Sequence, residues 1–191
     1  MTVEIGRPRD PRIDSAVLDA TVDLLGETGY AALSVDVIAK QAGTSKPAIY
    51  RRWPSKAHLV HEAVFPLSES TELPDTGTLL GDVREMLRRT VEVLTTPAAR
   101  AALPGIVGEA AADPSLHAAL LERFGHVLSR GLTAWLETAA ARGEVRADVA
   151  AADVVDAIAG ISFLALITHG DTLDAAWVER TAGLITRGIS A

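Results

Sequence analysis

Apolar residues recur at helical spacing along most of this chain, and they predict an all-α protein. In the first such segment, residues 10–29, the apolar positions are Ile13, Ala16, Val17, Ala20, Leu24 and Leu25. Steps of three and four residues place side chains on one side of a helix, so this face should join a core. Asp10 followed by Pro11 is a favourable helix start, because the aspartate can cap and proline fits the first turn. The helix should close near Gly29.

Residues 34–56 predict two short helices of seven or eight residues around a tight turn, followed by the start of a third helix. Gly43 sits where the first helix should stop, because glycine adopts the left-handed conformation without a Cβ clash. Pro47 falls in the first turn of the second helix, and Pro54 should follow its end. The serines expected to cap the three helices are Ser34, Ser45 and Ser55. This is the helix-turn-helix pattern.

Charge distinguishes this hairpin from an ordinary pair of packed helices. The formal net charge of the chain is −7, yet no Asp or Glu occurs between Asp36 and Glu62. The basic residues there are Lys40, Lys46, Arg51, Arg52 and Lys56. A positive surface attracts the DNA backbone, whose neutralised phosphates release counterions. A solvated basic face on a helical bundle is the alternative. Because caps, turn and basic second helix coincide, we favour DNA binding.

The spacing of residues in the second hairpin helix predicts which side chains point towards the core and which towards solvent. Ile49 and Trp53 should point inward, while Lys46, Tyr50 and Arg51 should point outward. Lys56 opens the third helix, where the positive end of the helix dipole disfavours a cation. A bound phosphate would make that position more favourable.

The pattern Ser-x-x-x-Ile-Ala-x-x-Ala-Gly-Thr-Ser-x-x-x-x-Tyr-x-x-Trp-x-x-Lys-x-x-Leu, residues 34–59, resembles the DNA-binding domain of the tetracycline-repressor (TetR) family. That family commonly has Phe at position 53 and Val at position 44. The resemblance implies a dimeric, all-helical transcription regulator, usually a repressor that a small ligand releases. It also makes Tyr50 a phosphate contact. The expected DNA-binding residues are Arg7, Arg9, Ser34, Thr44, Ser45, Lys46, Pro47, Ala48, Tyr50, Arg51, Arg52 and Lys56.

The first nine residues predict a flexible basic arm. Gly6-Arg7-Pro8-Arg9 resembles the core of an AT-hook, in which arginines enter a narrow minor groove. A disordered tail that adds only non-specific attraction is the alternative.

A polar stretch, residues 68–77, marks a boundary between two domains. We expect a DNA-binding domain over residues 10–66 and a regulatory and dimerisation domain of four or five helices over residues 78–191. Pro104-Gly105 should kink or break one of these helices, and Asp113-Pro114 should start the next.

The segment 149–169 is apolar almost all round after Asp156, which predicts a helix buried on more than one face. Its second partner could be another copy of the chain, or the helix could be wholly internal. The expected residues of a homodimer interface are Ala157, Gly160, Phe163, Leu164, Ile167 and Trp177.

The C-terminal domain is also where a ligand would bind, since bundle interiors host mostly apolar cavities. The candidate lining residues are Glu109, His117, Phe124, Leu128, Trp135 and His169. They can equally be core aromatics and solvated polar groups. Few inward charges are expected, which favours a small apolar or uncharged effector. Without an effector, the protein would be a constitutive or architectural DNA-binding protein.

Composition excludes several other classes. The chain has no cysteine, and neither a glycine-rich phosphate loop nor a nucleophile elbow occurs in it, so an all-α enzyme is the weakest alternative. We expect no cofactor and no metal, with His58 and His61 at the surface or close to bound DNA. The polar N-terminus and the short apolar run 157–168 predict a soluble cytoplasmic protein without a membrane span.

Overall fold

The computed structural model describes residues 11–66, 73–170 and 173–191, and for residues 121–130 it describes the backbone alone. The arm with Arg7 and Arg9, and the cap residue Asp10, lie outside the described residues. Those described form nine helices, α1 (Pro11–Ala32), α2 (Val35–Gln41), α3 (Lys46–Tyr50), α4 (Lys56–Val64), α5 (Leu79–Leu94), α6 (Pro97–Ala112), α7 (Pro114–Ala141), α8 (Ala151–His169) and α9 (Ala175–Ile189). Their other regular feature is a single bridge between Val145 and Ser190. The all-α prediction is confirmed.

The described residues fold as two compact units, and the first contains residues 11–66 together with 101–116. Here α1 packs against α2 and α4, and α2 packs against α3. Helix α1 is interrupted at Gly29, whose φ of 72° is left-handed, as its sequence predicts. The buried side chains at the centre are Val17, Leu25, Ile38, Ile49 and Leu59.

Two positions of α1 differ from the predicted apolar face. Ile13 is exposed, because it lies in the first turn, and the buried positions of α1 begin at Val17. Thr21 is fully buried instead, and its hydroxyl donates to the Val17 carbonyl oxygen at 2.7 Å. That bond satisfies a polar group which would otherwise be unfavourable in a core.

The segment 101–116 is the main difference from the predicted domain organisation. The sequence placed it in the C-terminal domain, whereas in the structure it packs within the first unit. Of the kink or break predicted at Pro104-Gly105, the break is wrong, since α6 continues through both residues. A proline inside a helix removes one backbone hydrogen bond and crowds the carbonyl of the preceding turn, and α6 tolerates this at an exposed position.

The second unit contains residues 73–100, 117–170 and 173–191 of the described chain. Helix α5 packs against both α8 and α9, and α7 contributes to the same core. The leucine and valine stripe of α5 is buried at Leu79, Val83, Leu87 and Val91. Asp113 caps α7 as predicted, because its Oδ1 accepts from the Ser115 amide at 2.8 Å. Bonds from the Ser115 side chain and then the backbone hold the pKa of Asp113 below its usual range.

A buried carboxylate that the sequence did not reveal organises the second unit. Asp82 is 0% exposed, and its Oδ1 accepts from the Thr76 amide at 2.6 Å and the Thr76 hydroxyl at 2.8 Å. Its Oδ2 accepts from Trp135 Nε1 at 3.0 Å, and an Arg142 nitrogen lies 3.5 Å away. These contacts fix the start of α5 against α7, since a buried carboxylate must be hydrogen-bonded.

Helix α8 presents apolar side chains on more than its buried face. Val154, Ile158, Ser162 and Ala165 are buried in the second unit. By length and composition the helix could cross a membrane, contrary to the expectation from its sequence, because Asp153 and Asp156 do not lower its mean hydropathy enough. Only 28% of its most apolar stretch of 18 residues is buried. In this single chain α8 is therefore not an internal helix.

Candidate nucleic-acid interface

The predicted hairpin is formed by α2, the turn at Gly43 and α3. Gly43 has a φ of 66°. The Gly43 amide donates to the Lys40 carbonyl oxygen and the Thr44 amide to that of Ala39, at 3.3 and 2.9 Å. This is a Schellman motif, which closes α2 and fixes the direction of the chain into α3.

Two of the three predicted serine caps form. Ser45 Oγ accepts from the Ala48 amide, and Ser55 Oγ accepts from the His58 amide, each at 3.3 Å. Ser34 occupies the N-cap position of α2, but its side chain makes no capping hydrogen bond, so that prediction is wrong. Helix α3 has 5 residues rather than seven or eight, because residues 51 and 52 already form a turn before Pro54.

The two faces of α3 follow the predicted pattern. Ile49 and Trp53 are buried, and Trp53 Nε1 donates to Glu62 Oε2 at 3.0 Å. Lys46, Tyr50 and Arg51 are exposed. The burial of Ile49 and Trp53, together with the hydrogen bond from Trp53 to Glu62 of α4, thus holds α3 with its polar face exposed.

Two basic side chains of the hairpin form ion pairs with acidic residues that lie outside the basic stretch. Lys46 Nζ lies 2.8 Å from Asp36 Oδ2, and both side chains are exposed. This hydrogen bond is the first cause of the raised pKa of Lys46. An Arg52 nitrogen lies 2.7 Å from Asp14 Oδ2, and its guanidinium stacks on Trp53, 5.3 Å from the ring centroid. Arg52 thereby joins the end of the hairpin to α1.

Lys56 has a partner inside the protein. Its Nζ donates to the Tyr30 carbonyl oxygen at 2.9 Å and lies 4.3 Å from the centroid of the Tyr30 ring. This carbonyl and ring offset the unfavourable helix dipole at the start of α4, a role that the sequence assigned to a phosphate. Lys56 is therefore held in position next to the hairpin.

Tyr30 also contacts α6. A Cβ added to Gly105 would lie 2.1 Å from Tyr30 Cδ1, so the ring packs directly on the backbone of this helix. The Tyr30 hydroxyl is buried without a hydrogen-bond partner among the described residues, and Glu109 is its acidic neighbour. Burial first, and Glu109 second, raise the pKa of Tyr30. Tyr30 thus links α6 with the first residue of α4.

The two histidines of α4 are placed differently from the prediction. His61 is buried, with its ring 5.5 Å from that of Phe65, so its expected surface position is wrong. His58 is half-buried, and its Nδ1 lies 2.8 Å from Ser55 Oγ. The apolar neighbours of α4 in the core explain the burial, because positions 57, 60, 61 and 64 share one helix face.

The exposed surface that remains is defined by Lys40, Lys46, Pro47, Tyr50 and Arg51, and we call it the hairpin surface. In the part of the chain that the structure describes, Lys40 and Arg51 form no ion pair. The sequence missed the roles of Asp14 and Asp36, because helix–helix contacts, not local spacing, bring them to their basic partners. The remaining expected contacts, Thr44 and Ala48, are half-buried.

The ligand candidates are not brought together among the described side chains. Trp135 belongs to the core and donates to Asp82. Glu109 is half-buried in the first unit, whereas His117 and His169 are exposed in the second. The side chains of Phe124 and Leu128 lie outside the described residues. The predicted ligand site stays a prediction.

Three of the dimer candidates present an exposed stripe on α8. Gly160, Leu164 and Ile167 are exposed, the latter two by 60% and 64%. Ala157 and Phe163 are half-buried beside this stripe. Trp177 is 8% exposed and packs in the core of its own unit, which removes it from the interface set. Leu184 on α9, which is not among the predicted interface residues, is 58% exposed.

Comparison with known proteins covers both units. Residues 17–63 match the family described as bacterial regulatory proteins, tetR family, and residues 73–185 match the tetracyclin repressor-like C-terminal domain. The chain is 30% identical to the HTH-type transcriptional regulator YdeS of Bacillus subtilis over 189 residues, 97% of this chain and 94% of that protein. It is 31% identical over 174 residues to the DNA-binding transcriptional repressor TetR of Mycobacteroides abscessus, 87% of each chain.

A solved structure agrees with these matches. The TetR family transcription regulator SCO0332 superposes with a TM-score of 0.70 at 27% identity, over 93% of this chain and 98% of that one. The resemblance found in residues 34–59 is therefore confirmed, and it extends to the C-terminal helices. The chain belongs to the TetR family and is a DNA-binding transcriptional regulator.

Proposed function

We propose that the protein is a repressor that binds a palindromic operator as a cytoplasmic homodimer and leaves it when a small apolar or uncharged effector binds. The observation that carries DNA recognition is the exposed basic hairpin surface on a chain of net charge −7. Such a local positive surface directs an acidic protein to phosphates with one defined face. The name of the relative in Mycobacteroides abscessus supports repression as the direction of control.

The test of operator recognition is selection of bound duplexes from a random DNA pool. We expect an inverted repeat whose half-site centres are separated by about 10–10.5 base pairs or a multiple of it, because two recognition helices must enter equivalent grooves. Reporter transcription from a promoter that carries the selected site should fall when the protein is present. Recovery of no common sequence, or of a single unrepeated site, would contradict the proposal.

Arg51 and Arg52 are neighbours in the sequence, and we expect Arg51 to contact a phosphate and Arg52 to stabilise the fold. Arg51→Ala should weaken binding to the selected site about tenfold and reduce the salt slope by about 0.9, because one phosphate contact is lost. Arg52→Ala should leave the slope unchanged and lower the free energy of unfolding by about 1 kcal/mol, because it loses Asp14 and Trp53. Salt titrations and thermal melts measure both quantities. Equal changes of slope in the two variants would contradict this division.

Effector response can act through α6. Its residues from 101 onward belong to the first unit and its first turn to the second. A displacement of this helix would act on Tyr30 through Gly105, and on the start of α4 through Lys56. The duplex fixes the separation of half-sites, so a small shift of one hairpin would prevent both from docking.

Thermodynamic linkage requires that such an effector bind the free protein and the DNA-bound protein with different affinities. A compound that weakens DNA binding about 100-fold must bind the DNA-bound dimer about 100-fold less tightly, a difference of about 3 kcal/mol. Compounds found by thermal-shift screening should be titrated against the free protein and against its complex with the selected duplex. Equal affinity in both titrations would exclude that compound as the inducer.

A further inference from the structure

The ion pair between Asp36 and Lys46 lies at a particular place in the hairpin. Asp36 is the second residue of α2 and Lys46 the first residue of α3, and Asp36 Oδ2 lies 2.8 Å from Lys46 Nζ. Both side chains are exposed, and Lys46 lies four residues before Tyr50 on the same face of α3. Asp36 is the only acidic residue between Glu27 and Glu62, so it supplies the one negative charge of the hairpin.

The negative charge of Asp36 reduces the ability of Lys46 to neutralise a DNA phosphate. An ammonium paired with a carboxylate carries little net charge, so it releases few counterions from a phosphate backbone. If Lys46 left Asp36 for a phosphate, the carboxylate would remain unpaired beside a polyanion. Arg51 differs, because it has no carboxylate partner among the described residues and can neutralise a phosphate without that penalty.

The hydrogen-bonding capacity of Lys46 is only partly used. An ammonium has three N–H donors, and Asp36 accepts from one of them. The two remaining donors suit an uncharged acceptor better than a phosphate, because the pair is nearly neutral. Guanine presents two such acceptors, O6 and N7, in the major groove, and lysine is one of the side chains that recognises them. Lys46 stands at the N-terminal end of the second hairpin helix, the end that reaches base edges in helix-turn-helix proteins.

We infer that Asp36 is a specificity-determining residue, which positions Lys46 to read a guanine in each half-site and keeps it from serving as a general phosphate contact. The inference rests on the proposed function, since it requires that the hairpin surface contacts an operator. Asp36 acts through Lys46 and raises specificity by lowering affinity for wrong sequences, as repulsive elements in interfaces do.

The experiment compares Asp36→Asn with the wild type on two duplexes, the site that the wild type selects and a shuffled sequence of the same composition. The variant should bind the shuffled duplex several-fold more tightly, with a salt slope steeper by about 0.9, because Lys46 becomes a free cation. Its ratio of operator to shuffled affinity should fall about tenfold. Selection with Lys46→Ala should lose the preference for guanine at one position of each half-site.

Two control variants separate this role from general electrostatics. Asp23→Asn makes the same change of charge at an exposed position of α1, and it should change the affinity for either duplex only slightly. In a Lys46→Ala background, Asp36→Asn should no longer change the affinity ratio, because the residue acts through the lysine. Thermal melts of all variants check that they are folded.

Three results would overturn the inference. The first is that Asp36→Asn changes the affinity for the operator and for the shuffled duplex by the same factor. The second is that Asp36→Asn changes the ratio of these affinities equally with and without Lys46. The third is a Lys46→Ala variant that loses about 0.9 in salt slope and selects an unchanged sequence, which would make Lys46 a phosphate contact. Failure of the wild type to select any site would instead contradict the proposed function itself.

Discussion

Leu164→Glu combined with Ile167→Glu is expected to convert the protein to monomers and to weaken operator binding at least about 100-fold. Both side chains are more than half exposed on α8, and Leu184 on α9 adds a third such apolar side chain. Burying one of them contributes roughly 1–2 kcal/mol, so six in a dimer supply on the order of 10 kcal/mol. Two linked hairpins gain about 10²–10⁴ in affinity over a single one, and a monomer loses this gain.

The matched control is Leu80→Glu combined with Val93→Glu. These residues are exposed apolar side chains of α5 in the same unit, and the double substitution adds the same negative charge. It should leave the mass in solution and the operator affinity close to those of the wild type. Light scattering gives the mass, and circular dichroism checks the helix content. Dimers that persist in the α8 variant, or monomers in the control, would place the interface elsewhere.

Gly105→Ala is expected to lower the free energy of unfolding by about 2–3 kcal/mol, because the new methyl group would overlap the Tyr30 ring. The added Cβ would lie 2.1 Å from Tyr30 Cδ1 and 2.4 Å from Cγ, so the ring or the helix must move. Either movement also disturbs the contact of Tyr30 with Lys56. Chemical denaturation followed by circular dichroism measures the loss, and operator binding should weaken as well.

Helix propensity provides the internal comparison for this prediction. Gly108→Ala lies one turn further along α6, where an added Cβ has nothing within 4 Å, and it should stabilise by up to about 1 kcal/mol. In a Tyr30→Ala background the effect of Gly105→Ala should reverse sign, since the overlap is gone and only the propensity gain remains. If Gly105→Ala destabilised both backgrounds equally, the contact with Tyr30 would not be the cause.

The hairpin could be predicted from sequence because its determinants are local. Gly43, the capping Ser45 and Ser55, and Pro54 each specify the backbone within a few residues of themselves. The same holds for Asp113 at the start of α7. Ile49 and Trp53 follow from helical periodicity alone. Short-range rules therefore sufficed for the part of the chain that also carries the family resemblance.

The features that were missed depend on contacts between distant residues. Asp82 and Trp135 are separated by 53 positions, and no spacing rule pairs them. The contact of Gly105 with Tyr30 explains why a glycine follows Pro104 without breaking α6, yet Pro-Gly is ordinarily a turn signal. Asp14 and Asp36 resemble ordinary surface residues of helix first turns. Their pairing with Arg52 and Lys46 depends on how α1, α2 and α3 pack.

The composition of the first unit has a consequence for synthesis of the chain on the ribosome. Residues 11–66 emerge first, but the segment that packs on Tyr30 begins only at residue 101. At about 5–20 residues per second, the fifty positions from 66 to 116 take roughly 3–10 s to be made. During that interval the Tyr30 ring lacks its α6 cover, so the nascent DNA-binding unit is incomplete. Its last element, residues 101–116, is made only after the chain has passed through the first helix of the second unit.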